Sequence, residues 1–129
     1  MNFIEMIRNS DAEVFDGVNE EEILAAERQL AITFPETYRE ILAEFGSLEI
    51  GSEEIFGLGV EGYLNVVETT LGERKLANGD LDKYIVIQNL AIGGLLIVVD
   101  ENDNVYEYTN GNFNNLLSTT AEYIVSQLL

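Results

Sequence analysis

The side chains available for chemistry are unevenly supplied. The 129-residue chain carries 24 acidic and 6 basic residues, a formal charge of −18, and has neither histidine nor cysteine. Without histidine the commonest general base and metal ligand is missing. Without cysteine there is no disulfide and no thiolate nucleophile. Carboxylates, tyrosines and backbone remain.

Three strings invite a chemical reading. Glu49, Glu53 and Glu54 cluster in an acidic stretch. A glycosidase needs two carboxyls at a set separation, one with a raised pKa, in a cleft with sugar-binding aromatics. The pattern gives no sign of burial and the chain has no tryptophan, so a solvated loop is the simpler reading. Asp100-Glu101-Asn102-Asp103-Asn104 offers oxygen ligands at alternating positions, as a calcium loop does. An EF-hand, however, needs Gly at its sixth position and Glu at its twelfth, where this chain has Val105 and Gly111, so a polar hairpin tip fits better. Gly57-x-Gly59-x-x-Gly62 matches a dinucleotide-binding string. That string has meaning only between a strand and a helix of a βαβ unit, and none precedes it. No catalytic residue, cofactor or metal site is therefore expected. Tyr63, Tyr84, Tyr106 and Tyr108 have the chemistry of interface anchors, rigid area with a polar tip. Ordinary strand packing is the simpler reading of each.

The elements that would position these groups are written most clearly between residues 19 and 46. Asn19 is placed to cap a helix, with Glu22 three residues later. Ile23, Ala26 and Leu30 fall on one face. A short link, Ala31 to Phe34, leads to Pro35, which suits the first turn of a second helix. Tyr38, Ile41, Leu42 and Phe45 follow at i, i+3, i+4 and i+7, and Gly46 is the expected stop. Before this pair, residues 2–9 predict a short amphipathic helix and residues 10–18 a linker. After it, residues 47–54 read as an acidic loop and 55–60 as a first strand. Asn65 is placed to cap a helix over 66–76. Strands are expected at 84–87, 95–99 and 105–108, the last two forming a hairpin, with a turn at 109–112. Ser118 or Thr119 then caps a final helix burying Ala121, Ile124, Val125 and Leu128.

Ala26-Glu27, Leu30, Ala31-Ile32, Phe34-Pro35, Tyr38, Leu42, Phe45-Gly46-Ser47 and Ile55-Phe56-Gly57-Leu58, in that order, resemble the SUKH superfamily, the SMI/KNR-like cell-wall-assembly-regulator proteins. Phe34 stands where that family has Leu, and Phe45 and Ser47 stand where it has Asn and a second Gly. The resemblance continues through a Gly-Gly strand, an Asp-ended hairpin and a C-terminal helix. The fold expected is α+β, with N-terminal helices and a C-terminal helix packed on a mostly antiparallel sheet, as one domain over residues 1–129. A chain of this size buries roughly two-thirds of its unfolded surface.

The resemblance implies a bacterial immunity protein, which binds a cognate toxin domain and blocks it without catalysis. The yeast relatives imply an alternative, an intracellular regulatory or scaffold module. The charge supports a cationic partner and opposes nucleic acid or an anionic membrane as partner; the resemblance implies that this partner is a basic, nuclease-type toxin. The charge serves solubility equally well. Glu49, Glu53, Glu54 and Glu61, with Tyr63, Tyr106 and Tyr108, are the expected contact residues. No signal-peptide pattern or membrane-length apolar run is visible, so a cytoplasmic location is expected.

Overall fold

The computed structural model describes residues 2–128. Its organising element is the expected helix pair. Helix α2 (Glu20–Leu30) is capped by Asn19, whose side chain accepts the Glu22 N–H at 2.9 Å, and it buries Ile23, Ala26 and Leu30. It ends at Ala31 in the left-handed region (φ 54°), with the Ile32 N–H returning to the Glu27 carbonyl. That closure frees the chain to turn at once into helix α3 (Glu36–Phe45). Pro35 sits one residue outside α3 rather than within its first turn.

Glu27 fastens the turn. Its carboxylate accepts the Phe34 N–H at 2.6 Å and pairs with Arg39 at 2.7 Å, and Arg39 also pairs with Glu20. Tyr38, Ile41, Leu42 and Phe45 are all buried, as their spacing predicts. Helix α1 (Phe3–Arg8) precedes the pair, with Asn2 as its cap and Ile7 buried.

Gly46 and Gly57 mark a close crossing of two backbone segments. The Leu58 N–H donates to the Gly46 carbonyl at 2.9 Å, and a Cβ on Gly57 would lie 1.7 Å from that same oxygen. The Ile55-Phe56-Gly57-Leu58 motif therefore has a steric reason for its glycine.

Between the two sides of this crossing the structure departs from expectation. The stretch 47–54 is not a loop. It folds as a hairpin of β2 (Leu48–Ile50) and β3 (Glu53–Ile55), and β1 (Glu13–Val14), inside the expected linker, adds an outer antiparallel strand. The strand expected over 55–60 does not form beyond Ile55. The Phe56, Gly57 and Leu58 N–H groups bond to Ile87, Leu64 and Gly46 in turn, three separate segments, so no ladder continues.

The second sheet is an antiparallel meander, β4 (Tyr84–Asn89), β5 (Leu96–Asp100), β6 (Val105–Thr109) and β7 (Asn112–Asn115). The expected turn at 109–112 forms, and it leads into β7, for which the sequence predicts no strand, rather than directly toward the last helix. Asn110 and Gly111, both at positive φ, make this tight turn. A bulge lies between Val86 and Gln88 in β4. Helix α4 (Val66–Leu76) lies against β4, Thr70 Oγ1 accepting the Val86 N–H at 3.0 Å. Asn65 caps α4 as predicted, accepting from Val67 and Glu68.

Helix α5 (Thr120–Leu128) begins with a reciprocal capping box between Thr119 and Glu122. Its buried face is rotated from the expected one: Thr120, Tyr123 and Ile124 are buried, while Ala121, Val125 and Leu128 are only half-buried. Polar anchors set the rotation. The Tyr123 hydroxyl donates to Gln88 Oε1, and the Thr120 N–H and hydroxyl both donate to Asp103 Oδ1. Buried apolar residues from all five helices and both sheets form one cluster. The fold is α+β, helices against antiparallel sheets, as the sequence implies.

Candidate functional site

The acidic hairpin forms one wall of a groove of about 800 Å³. Helix α4 makes the facing wall, the 3₁₀ turn Gly62–Leu64 lies at the rim, and the β4–β5 connection at Asn89, Leu90 and Ala91 completes it. Four carboxylates line it, Glu53 and Glu54 from β3 with Glu68 and Glu73 from α4. Phe56, Tyr63, Leu76 and Leu90 supply apolar surface. No lysine or arginine is among the lining residues. Arg74, on α4, is turned elsewhere: its guanidinium donates to the carbonyls of Leu30, Leu81 and Tyr84. Burial there lowers its pKa from the ordinary arginine value.

The hairpin register sets the charge. Glu49 pairs directly with Glu54 across β2 and β3, and Glu13 pairs with Glu49 across β1 and β2, so three glutamates stand abreast on one face. Leu48 and Ile55 alternate with them onto the buried face. Tyr63 is 69% exposed, and its hydroxyl lies 3.4 Å from Glu54 Oε1. The negative charge of Glu54, first among several causes, raises the Tyr63 pKa. The other carboxylate oxygen, Glu54 Oε2, is shut off from solvent and accepts no hydrogen bond from the described residues.

Of the residues expected at a contact surface, Glu53, Glu54 and Tyr63 meet in this groove, and Glu49 backs Glu54 on the adjacent strand. Glu61 is exposed just ahead of the 3₁₀ turn and does not line the groove. Tyr106 and Tyr108 lie elsewhere, on β6, in an aromatic cluster with Tyr84 and Phe113. Their hydroxyls donate to Asp100 and Asp80.

The α4 contribution is absent from the sequence-level candidates. Glu68, Gly72 and Leu76 recur at i, i+4 and i+8 on the side away from buried Val66, Val67 and Thr70, and half-buried Glu73 stands at the boundary between the two stripes. That second stripe of the helix is the signal that points to them. The carboxylates of the Asp100–Asn104 turn are engaged structurally. Asp100 accepts from Asn102, Asn104 and Tyr106, and Asp103 accepts from Thr37 and Thr120.

The arrangement suits recognition of a cation that also presents apolar surface. Comparisons with known proteins agree with the fold. The family model described as SMI1-KNR4 cell-wall (SUKH_5) matches residues 1–129, and the chain belongs to that family. A crystal structure of a protein from Pseudomonas syringae pv. tomato is similar, with a TM-score of 0.74 at 20% identity, covering 90% of this chain and 89% of that one. A comparison with curated proteins gave no match. Among the described residues, no helix is long and apolar enough to cross a membrane.

Proposed function

We propose that this protein is a non-catalytic immunity protein that captures and neutralises a cognate toxin domain, with the acidic hairpin and its groove as the seat of the partner. The observation that carries the reading is the groove itself, lined by four carboxylates and no cation and continuous with a row of three glutamates. Like charges held directly opposite one another in a hairpin weaken it. A cationic partner would offset that repulsion on binding. Membership of the SMI1-KNR4 family supports protein binding as the activity.

A basic nuclease-type toxin is the partner class that best fits. A nuclease must be positive where it holds phosphates, and an acidic protein can occupy that surface and exclude the nucleic acid. Charge would speed the encounter and a few aromatic or apolar anchors would hold the complex. The testing experiment is a tagged pull-down from the native host, washed at low and then high salt. The expected result is one basic partner, released by salt, whose nuclease activity falls when the purified chain is added back. A set of signalling proteins without such an activity would replace this reading with a regulatory module.

A further inference from the structure

We infer that the outer edge of β7 pairs antiparallel with β7 of a second copy of this chain, closing a two-fold dimer. This goes beyond the capture reading and uses a different surface.

The free edge follows from the turn. Thr109 and Asn112 flank the two-residue turn Asn110-Gly111, and in such a hairpin the flanking residues exchange main-chain bonds. Alternation gives Asn114 the next bonds to β6, at Glu107, and Leu116 follows with its N–H on the Val105 carbonyl at 3.0 Å. Phe113 and Asn115 therefore aim their N–H and C=O groups away from β6, and among the described residues no strand lies beyond them. The opposite edge of the sheet is closed. On β4 the Val86 N–H donates to Thr70 Oγ1, and the Ile87 carbonyl accepts the Phe56 N–H.

An exposed edge is ordinarily protected by charge, proline, a bulge or brevity. Strand β1, the outer strand of the other sheet, is only Glu13 and Val14. Strand β7 has no such charge, proline or bulge. Residues 108–121 contain no Asp, Glu, Lys, Arg or Pro in a chain of charge −18, and β7 meets β6 in unbroken register. Two apolar side chains stand at this edge, Phe113 and the 88% exposed Leu117. Leu117 is held at φ 56°, its N–H donating to Asn115 Oδ1 at 2.8 Å. That conformation is uncommon for a residue with a Cβ, and here it keeps a leucine in water beside an open ladder.

Charge decides the occupant. A cationic partner is drawn to the acidic surfaces and gains nothing from an uncharged edge. A second copy is repelled by those surfaces and can approach where charge is absent. With Asn114 on the two-fold axis, Phe113 of each copy stands opposite Asn115 of the other, and each such pair exchanges two main-chain bonds. Asn114 meets its own counterpart, an amide that both donates and accepts. Glu107, in register with Asn114, then lies three strand spacings from its counterpart. That is roughly 14 Å, beyond the Debye length of about 8 Å at physiological salt. Because the β4 edge is closed, pairing stops at two copies rather than growing into a fibre.

Sedimentation equilibrium of the full chain up to about 1 mM, at low and high salt, tests the dimer. The interface is small, so a dissociation constant of roughly 0.1 mM is expected. It should tighten at high salt, where the repulsion between two acidic chains is screened. Capture of a cationic partner has the opposite salt dependence. Amide exchange followed by NMR should slow at Phe113 and Asn115 as the monomer fraction falls. Asn114→Lys places two like charges on the axis while facing the opposite charge of Glu107 across β6. It should stay folded and weaken the dimer about tenfold or more. Glu40→Gln, exposed on α3, makes the same change in net charge and should dimerise as the parent does.

A chain that remains monomeric at high salt, a dimer that dissociates as salt rises, or equal affinities for Asn114→Lys and the parent would each overturn the proposal. So would protection of Phe113 and Asn115 that appears only in the complex with a captured toxin, which would make the partner's strand the occupant. None of these outcomes removes the immunity reading, which rests on the identity of the host partner.

Discussion

Glu49 stands directly across from Glu54 in the β2–β3 hairpin, and neither has a basic neighbour in register. Directly opposed residues share a face with Cβ atoms roughly 5 Å apart, a spacing at which like charges oppose pairing by about 0.2–1 kcal/mol. Glu49→Gln should therefore raise the thermal midpoint at low salt by about 1–4 °C, and the gain should shrink as salt screens the pair. Glu54→Gln should be stabilised in the same direction while losing partner affinity. A melt showing either variant less stable than the parent at low salt would mean that the row of glutamates is held by contacts other than the ones described.

The Tyr38 hydroxyl donates to the Phe56 carbonyl at 2.6 Å, wholly inside the core. This bond fixes the start of the segment that leaves β3 and places Phe56 in the groove. Tyr38→Phe keeps the ring and leaves the carbonyl unmatched, which costs about 1–3 kcal/mol. Urea unfolding should show the lower midpoint with an unchanged slope. An unchanged midpoint would mean that the carbonyl finds another donor.

How far the site is legible in the sequence follows from the strength of each local signal. The α2–α3 pair is legible because each helix repeats one period over ten or more residues and stops at a residue of positive φ, and α2 also has the Asn19 side-chain cap. The Ala26-Glu27 pair of the family pattern carries information for a reason periodicity does not supply: Glu27 holds both the Phe34 N–H and Arg39. The β2–β3 hairpin is not legible. Its strands have three residues each, too short for alternation to register, and its outward positions are glutamates, which read as a solvated loop. Strand β7 hides likewise, since Asn112-Phe113-Asn114-Asn115 has the composition of a turn and is exposed throughout. Glu53, Glu54 and Tyr63 stand out by type and clustering, whereas Tyr106 and Tyr108 stand out by type alone. Chain order could not reveal that their hydroxyls are engaged by Asp100 and Asp80.

Two glycines predict opposite outcomes for the same substitution. A Cβ on Gly57 would lie 1.7 Å from the Gly46 oxygen, where only backbone could move away. Gly57→Ala should leave little folded protein, because the crossing of α3's end with the segment after β3 cannot close. Gly72 lies within α4 with nothing within 4 Å of an added Cβ. Gly72→Ala should stabilise the fold by about 0.5–1 kcal/mol, the ordinary gain for this change inside a helix. Parallel circular-dichroism melts of the two variants check both. Equal destabilisation would contradict the account of both positions.

Alkaline pH should unfold the protein through its buried tyrosines. The Tyr123 hydroxyl is pushed up to about 12, chiefly by burial and then by the charges of Glu53 and Glu107. Burial also raises Tyr38 above the ordinary tyrosine value. An unfolded tyrosine releases its proton near about pH 10. Above that point the unfolded chain binds fewer protons than the folded one, so stability falls as pH rises. The contribution of Tyr123 is whole below about pH 10 and is lost as pH climbs toward its folded value. Tyr123→Phe separates this effect from simple packing. It should be less stable than the parent at neutral pH, because it strips Gln88 Oε1 of its donor when Gln88 Nε2 is already unmatched in the core. Its urea midpoint should then decline less steeply between about pH 9 and pH 12. Parallel alkaline declines for the two proteins would show that Tyr123 releases its proton equally easily folded and unfolded, and would place the alkaline sensitivity on the other tyrosines, Tyr38 foremost.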